Sequence, residues 1–374
     1  MYRYSDFDQR MVDDRVSQFR GQIARHLSGE LSEDELRPLR LQNGLYIQRH
    51  SPMLRVAIPY GMLSSSQLRK IAEVSRKYDR SYAHFTTRQN VQYNWFALEA
   101  TPDMLADLAS TQMHGVQTSG NCIRNTTTDP FAGVAPDEVT DPRVVCELVR
   151  QWSTFHPEFA YLPRKFKIAV NAAATDRAAT AVHDIGLYLK HDDAGALVAD
   201  VLIGGGLGRT PVVGSIIKHD LPIRHLLSYL DAALRVYNLH GRRDNKYKAR
   251  IKILVRALGA EEFGRQVDAE WSFHKDGPQT ITPEHFARIA AHFTSPAYAT
   301  LIDNPPAYAE PLARDRAFAR WVERNVHAHK VQGYAAVVLS LKPTGIAPGD
   351  LTADQMEAVA QLADDHSFGE LRVS

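Results

Sequence analysis

The stretch Leu54-Arg-Val-Ala-Ile-Pro-Tyr-Gly61, followed after two residues by Ser64-Ser-Ser-Gln67, opens the unit from which this chain is built. Leu54 to Ile58 reads as a strand that ends at Pro59-Tyr-Gly61. Ser64-x-x-Gln67 is a capping box, and Leu68, Ile71, Ala72 and Val74 supply the apolar stripe of the helix behind it. Tyr82 to Phe96 reads as strand again, with Val91, Tyr93 and Trp95 alternating against Gln92 and Asn94. Thr101 as N-cap and Pro102 at the first helical position open a second helix through Leu105 and Leu108. Strand, helix, strand, helix is a small α+β layer unit.

The end of the chain repeats it. Ala336 to Leu341 reads as a strand, Thr352-x-x-Gln355 as a capping box, and Met356, Val359 and Leu362 as the stripe. Gly369 to Ser374 begins the returning strand. Laying Thr352 on Ser64 puts Ser374 on Thr86 without a gap, so the second copy stops where the first continues into Thr87-Arg-Gln-Asn90. The expectation is a truncated second copy. Ahead of the first copy, Val16, Phe19, Ile23 and Leu27 mark a helix over 13–27, stopped by Gly29. Ser32 to Arg40 reads as a polar connection. Between the copies, Val198 to Ile203 is a strand running into Gly204-Gly-Gly-Leu-Gly-Arg209. A helix spans about Ile223 to Leu239, and Ile251 to Val255 resembles a strand; Trp271 to Pro311 shows no clear organisation.

The bulk numbers exclude some classes. Lys plus Arg is 44 against 43 for Asp plus Glu, so only local clustering carries an electrostatic message, and neither nucleic acid nor a membrane is expected as a partner. No apolar run approaches the roughly 20 residues of a membrane helix. Cys122 and Cys146 form no CxxC pair, which suits a reducing cytoplasm, the expected location.

Chemistry concentrates in basic stretches. In Leu162-Pro-Arg-Lys-Phe-Lys-Ile-Ala169, Pro163 biases the chain towards extended backbone, which puts Lys165 and Lys167 on one face and Phe166 on the other. Adjacent ammonium groups repel unless an anion lies near, so the segment reads as an anion site as well as a solvated strand end. Arg55 interrupts an apolar strand, and its fork suits a planar or trigonal oxyanion, although an acid at the sheet edge could equally hold it. Thr86 to Gln92 is dense in donors around Arg88, and Gly120-Asn-Cys-Ile-Arg-Asn-Thr-Thr-Thr128 sets Arg124 beside Asn125 and three threonines, as a loop facing an anionic ligand would. Gly204 to Gly208 is a weak dinucleotide signal, since it is not G-x-G-x-x-G leading into a helix. His240 to Lys252 is the densest basic run, open to solvent, nucleic-acid phosphate or an anionic cofactor.

Together these stretches resemble the sirohaem-containing nitrite and sulfite reductases. The matching segments are Met53 to Gly61, Thr87 to Gln92, Gly120 to Asn125, Leu162 to Lys167, Gly204 to Gly208 and Arg243 to Lys248, in the family's order and spacing. The resemblance implies that Arg55, Arg124, Lys165 and Lys167 surround the distal face of the sirohaem iron, hold sulfite or nitrite and supply protons during six-electron reduction. It implies cofactor contacts from Thr87, Arg88, Gln89, Gln92, Asn125, Thr126, Gly205, Gly206, Arg209, Arg243, Asn245, Lys248 and Arg250. It also implies an electron donor, a ferredoxin or an NADPH-dependent flavoprotein. Some relatives carry Arg where this chain has His84, which removes one cofactor contact. The family's 4Fe–4S cluster needs four cysteines that neither Cys122 nor Cys146 matches, so its ligands are expected beyond this chain, which alone is expected to be inactive. No metal ligand is assigned here.

The expected fold is α+β: duplicated ferredoxin-like half-units, the second truncated, around a central α/β sirohaem-binding domain. The expected parts are a helical arm at 1–44, the first half-unit at 45–119, the sirohaem-binding part at 120–325 and the start of the second half-unit at 326–374. Two rival functions stay open: a nicotinamide-dependent oxidoreductase using Gly204 to Gly208, and a basic RNA-binding module centred on Arg242 to Lys252.

Overall fold

The computed structural model describes residues 1–374. Its first helix, α1 (Asp6–Leu27), starts well before Asp13 because Ser5 and Asp8 close a capping box ahead of the apolar stripe. Ser32 and Glu35 close another, so the expected connection from Ser32 to Arg40 is instead a helix, α2 (Glu33–Gln42). Its polar composition concealed it: Leu36 and Arg40 are its only buried residues.

The first layer then follows: β1 (Leu45–Ile47), β2 (Pro52–Ala57), β3 (Met62–Ser64), α3 (Ser65–Tyr78), β4 (Tyr82–Thr86), β5 (Asn90–Tyr93) and α4 (Thr101–Ala109). The strand expected across Tyr82 to Phe96 is a hairpin, turning at Thr87 to Gln89 with Gln89 at φ +54°. Thr101 is the first helical residue and not the cap; its hydroxyl donates to the Leu98 carbonyl at 2.6 Å.

The central part runs β6 (Thr127–Thr128), α5 (Pro142–Thr154), β7 (Ile168–Asn171), β8 (Ile185–His191), β9 (Leu197–Ile203), β10 (Ser215–Pro222), α6 (Leu226–His240), α7 (Ile251–Leu258), α8 (Ala260–Trp271) and α9 (Pro283–Ala290). Its sheet is ordered β10-β9-β8-β7-β6, parallel from β6 to β8 and antiparallel from β8 to β10. The strand expected at Ile251 to Val255 is helix α7: Ile251 and Val255, one helical turn apart, are the apolar residues it buries. Beyond α9 come α10 (Pro306–Arg314), α11 (Arg316–Asn325), β11 (Val326–Ala328), β12 (Ala335–Val337), β13 (Asp350–Thr352), α12 (Ala353–His366) and β14 (Glu370–Arg372). The strand expected over Ala336 to Leu341 ends at Val337 and pairs only with β11.

The repeat closes on itself. β14 pairs antiparallel with β3 (Leu371 opposite Leu63) and β13 pairs with β4 (Leu351 opposite Ala83). Laying Thr352 on Ser64 converts each of these pairings into the other, so the two copies exchange strands about a local pseudo-twofold axis. Both capping boxes form. α12 lies against α3 through Met356, Ala360 and Ala363; Leu362, expected in that stripe, faces outward. Small alanines permit the close helix approach that a leucine would prevent.

The packing has two cores. One fills the first layer and includes Met356 and Leu351 of the second copy. The larger one surrounds the central sheet and takes in Tyr60 and Met62 from the first unit. Tyr60 donates to Glu147 of α5 at 3.2 Å, which ties the two parts where the chain leaves β2. No helix is long and apolar enough to cross a membrane.

Candidate functional site: a cationic cleft between the two sheets

The hairpin tip between β4 and β5, the loop ahead of β6 and the segment entering β7 meet at one place. Gln89 makes the junction rigid: its amide donates to the Thr128 carbonyl at 2.8 Å and accepts from the Thr128 N–H at 3.3 Å. The Asn125 amide donates to the Ile58 and Gln89 carbonyls and to Asn90 Oδ1, at 2.9, 3.1 and 3.2 Å. Both side chains are buried and bonded to the backbone across the junction, so they stitch the sheets together. Thr126 accepts the Tyr60 N–H through its carbonyl at 3.1 Å.

Around this junction stand the cations. Arg55 on β2 lies opposite Gln92 on β5, and Gln92 Oε1 accepts from Arg55 Nε and Nη2 at 3.0 and 2.5 Å. The Thr118 carbonyl accepts from Arg55 Nη1 at 3.3 Å and from Arg124 Nη1 at 2.7 Å, which brings the two guanidinium groups together. Arg124 also donates to Gly120 O and to the Tyr46 hydroxyl at 2.8 and 3.3 Å, and Arg55 lies 5.5 Å from the Tyr46 ring centre. Arg88 donates to Thr127 Oγ1 and the Asn125 carbonyl at 2.5 and 2.6 Å and touches His183. Like-charge crowding is mutual here, because not one of Arg55, Arg88, Arg124, Lys165 and Lys167 forms an ion pair with a carboxylate in this structure.

Electrostatics follow from that crowding. Burial, then Arg88, pushes the Lys167 ammonium down to about 8, and Asp184 opposes them. Burial, then Arg124, Arg164, Arg250 and Arg55, lowers Lys165. Burial likewise lowers Arg88 and holds His183 down to about 3, a neutral imidazole. The single counter-charge is Asp184, fully buried, which takes the Arg250 fork at 2.7 Å and the Lys167 N–H at 2.9 Å.

Phe166 is completely buried between Lys165 and Lys167, as alternation requires. The glycine loop after β9 lies alongside. A Cβ on Gly205 would stand 2.4 Å from the His183 carbonyl, and one on Gly206 2.9 Å from Arg250 Nη2. The loop leads through a Gly206–Val212 bridge into strand β10 and not into a helix, so it lacks the helix N-terminus a dinucleotide would meet. The basic run is divided too. Lys252 is turned inward onto the Thr210 carbonyl at 2.5 Å, Arg242 pairs with Asp244, and Arg243 donates to the Tyr161 carbonyl at 3.0 Å.

Arg55, Arg88, Arg124, Lys165, Lys167, Arg250 and the Gly205-Gly206 loop thus come together. Thr87, Arg209, Arg243 and Lys248 remain exposed, and Asn245 caps its own turn by accepting the Tyr247 N–H at 3.0 Å. His84 is engaged by Asp350 of the second copy at 2.8 Å. Sequence reading missed Asp184, His183 and Tyr46. The acid directly ahead of the apolar run Ile185-Gly-Leu-Tyr was the available signal for Asp184.

Fold and site define a protein in which a ferredoxin-like layer meets a mixed central sheet at a cluster of cations. The family model of the nitrite/sulfite reductase ferredoxin-like half domain matches residues 46–111, and that of the nitrite and sulphite reductase 4Fe-4S domain matches residues 119–275. Through these two stretches the chain belongs to the nitrite and sulfite reductase family. A ferredoxin–nitrite reductase of Synechococcus elongatus is 30% identical over 86% of this chain and 57% of its own length. A ferredoxin-type sulfite reductase of Mycolicibacterium paratuberculosis is 29% identical over 62% of this chain and 42% of its own. The solved structure of the Mycobacterium tuberculosis NirA protein, 24% identical, superposes with a TM-score of 0.69 over 91% of this chain and 59% of its own, which shows the shared fold. The chain spans about half the length of the curated relatives it matches.

Proposed function

We propose that the cleft binds sirohaem and, beside it, sulfite or nitrite for six-electron reduction, with electrons supplied by a ferredoxin or an NADPH-dependent flavoprotein. The observation that carries this reading is the cluster of half-buried cations without carboxylate partners. Such charges are costly to bury alone, and a cofactor rich in carboxylates with a small oxyanion beside it is the chemistry that balances them. The residues present fit sirohaem. A Cβ on Gly206 would press on the Arg250 and Lys252 side chains, so bare backbone keeps this loop close to the cations, with Arg88 and Lys167 nearby around His183. When bound, sirohaem supplies the iron and the conjugated ring at which the oxyanion is reduced. Arg55 and Arg124, held by Gln92, Thr118 and Gly120, orient the oxyanion and remain charged. Lys167, an ammonium group depressed to about 8, gives up a proton readily near neutral pH, as reduction makes the bound oxygen more basic.

The coupled 4Fe–4S cluster does not fit the residues present. Cys146 is buried in the central core, the Cys122 thiol donates to the Ser119 carbonyl, and no group of three His, Cys, Asp or Glu is placed to hold a metal. As the division of the chain that goes with this reading, we retain 1–44, 45–119, 120–325 and 326–374. The test is titration of the purified chain with sirohaem, followed by absorption. Saturable binding that Arg88→Gln and Gly206→Leu weaken supports the proposal; the same spectra with and without protein would overturn it.

A further inference from the structure

Beside the cleft lies a cavity of about 540 Å³, walled by α1, α2, β1, the loop from Val116 to Arg124, the end of α5 and the segment before β7. Its charged lining consists of Arg15, Arg124, Arg164 and Lys165, with no aspartate or glutamate among the wall residues. All four cations are half-buried. The Arg15 side chain has one hydrogen bond, to Gln18 at 3.2 Å, and its only charged-state influence besides burial is Tyr161. Gln42 on the arm donates to the Tyr161 hydroxyl at 2.6 Å, closing the rim between arm and loop. Arg124 and Lys165 belong both to the cavity wall and to the cation cluster at the sheet junction.

A low-dielectric chamber lined by one sign of charge concentrates the opposite ion. At roughly 30 Å³ for each water, its volume admits a small oxyanion with part of its hydration shell. We infer that this cavity is a second oxyanion subsite, completed by Arg15 of the N-terminal arm, from which the anion passes to Arg124 and Lys165. The inference rests on the proposed function for the direction of travel, and on the cavity's own lining for the binding itself.

The experiment is equilibrium dialysis of the full chain against radiolabelled inorganic sulfate, a non-reducible stand-in, at low ionic strength. Arg15→Gln and Arg164→Gln are each expected to weaken binding about three- to tenfold through loss of one nearby charge, and Arg15→Lys to restore most of it. Arg15 lies on a helix surface where glutamine is well tolerated, so the fold is kept. Lys167→Gln, outside the cavity wall, is expected to remove only the cleft site. Wild-type affinity in both arginine variants, with a loss in Lys167→Gln, would sink the cavity inference and leave the reductase reading standing. Wild-type affinity in all three would sink both.

Discussion

Lys167 is the residue at which charge, burial and proposed chemistry meet. Its ammonium group is depressed to about 8 from an ordinary lysine value of 10.5, so the unfolded chain holds this proton over a range where the folded one does not. Stability therefore gains from this group as pH rises from about 8 towards 10.5, and the cost of its charged form is fully present below 8. An oxyanion placed against it reverses the shift, so binding near pH 8 must take up a proton and must weaken above it. Calorimetry of sulfate binding in two buffers of different ionisation enthalpy checks this, and equal heats in both would refute it. The glycines make a second contrast. Gly205→Ala drives Cβ onto the His183 and Ala181 carbonyls at 2.4 and 2.6 Å, backbone that cannot retreat, and should cost about 1–3 kcal/mol in urea unfolding. Gly206→Ala meets only the ends of Arg250 and Lys252, so its cost to the fold should stay below about 1 kcal/mol while sirohaem affinity falls. Charged motif residues were legible because charge is written in the sequence. The roles of Gln89 and Asn125 were not, because both amides find their partners on strands that only the fold brings near.

Among the elements, the pairing of β3 with β14 and β13 with β4 shows how a repeat becomes a structure. A lone copy would leave β3 and β4 as edges with unpaired backbone groups, and the second copy supplies each edge with its partner. Both capping boxes were readable, and so was the alignment of Thr352 on Ser64. The exchange of strands was not, because a three-residue register match carries no signal in one sequence. Nor was the hairpin at Thr87 to Gln89: with Gln89 in place of the usual Gly or Asn at positive φ, the turn lacks its common chemistry. α7 was misread because four apolar residues in a run of five, broken only by Lys252, fit a short strand as readily as a helical turn. The exchange makes the second copy part of the first core. Met356→Ala, at a completely buried position in α12, should destabilise the first layer by about 2–5 kcal/mol in urea unfolding. Arg76→Ala, which removes the exposed pairs to Asp354 and Glu357, should shift the midpoint far less. Equal losses would mean that surface charge, not α12 packing, holds the copies together.

Over the whole molecule, burial is distributed unevenly, and stability should follow it. α6 buries eleven of its residues inside the central core, among them Tyr229, Leu230 and Tyr237. From 294 to 350 no residue is buried at all, and α10 and α11 hold none although Phe318, Trp321 and Val322 give α11 an apolar side. Opening α6 requires dismantling the core, so its amides should exchange only through global unfolding. Opening α11 exposes almost nothing that is not already exposed, so its amides should exchange through local opening, faster by at least about two orders of magnitude. Hydrogen exchange read by mass spectrometry on peptides from 226–240 and 316–325 measures the ratio directly. Equal protection of the two helices would mean that the apolar side of α11 is covered in solution, and concentration dependence of that protection would then identify a second copy of this chain as the cover. Rapid exchange at every concentration would leave α11 as a marginal helix, held by its Asp315 cap and not by packing.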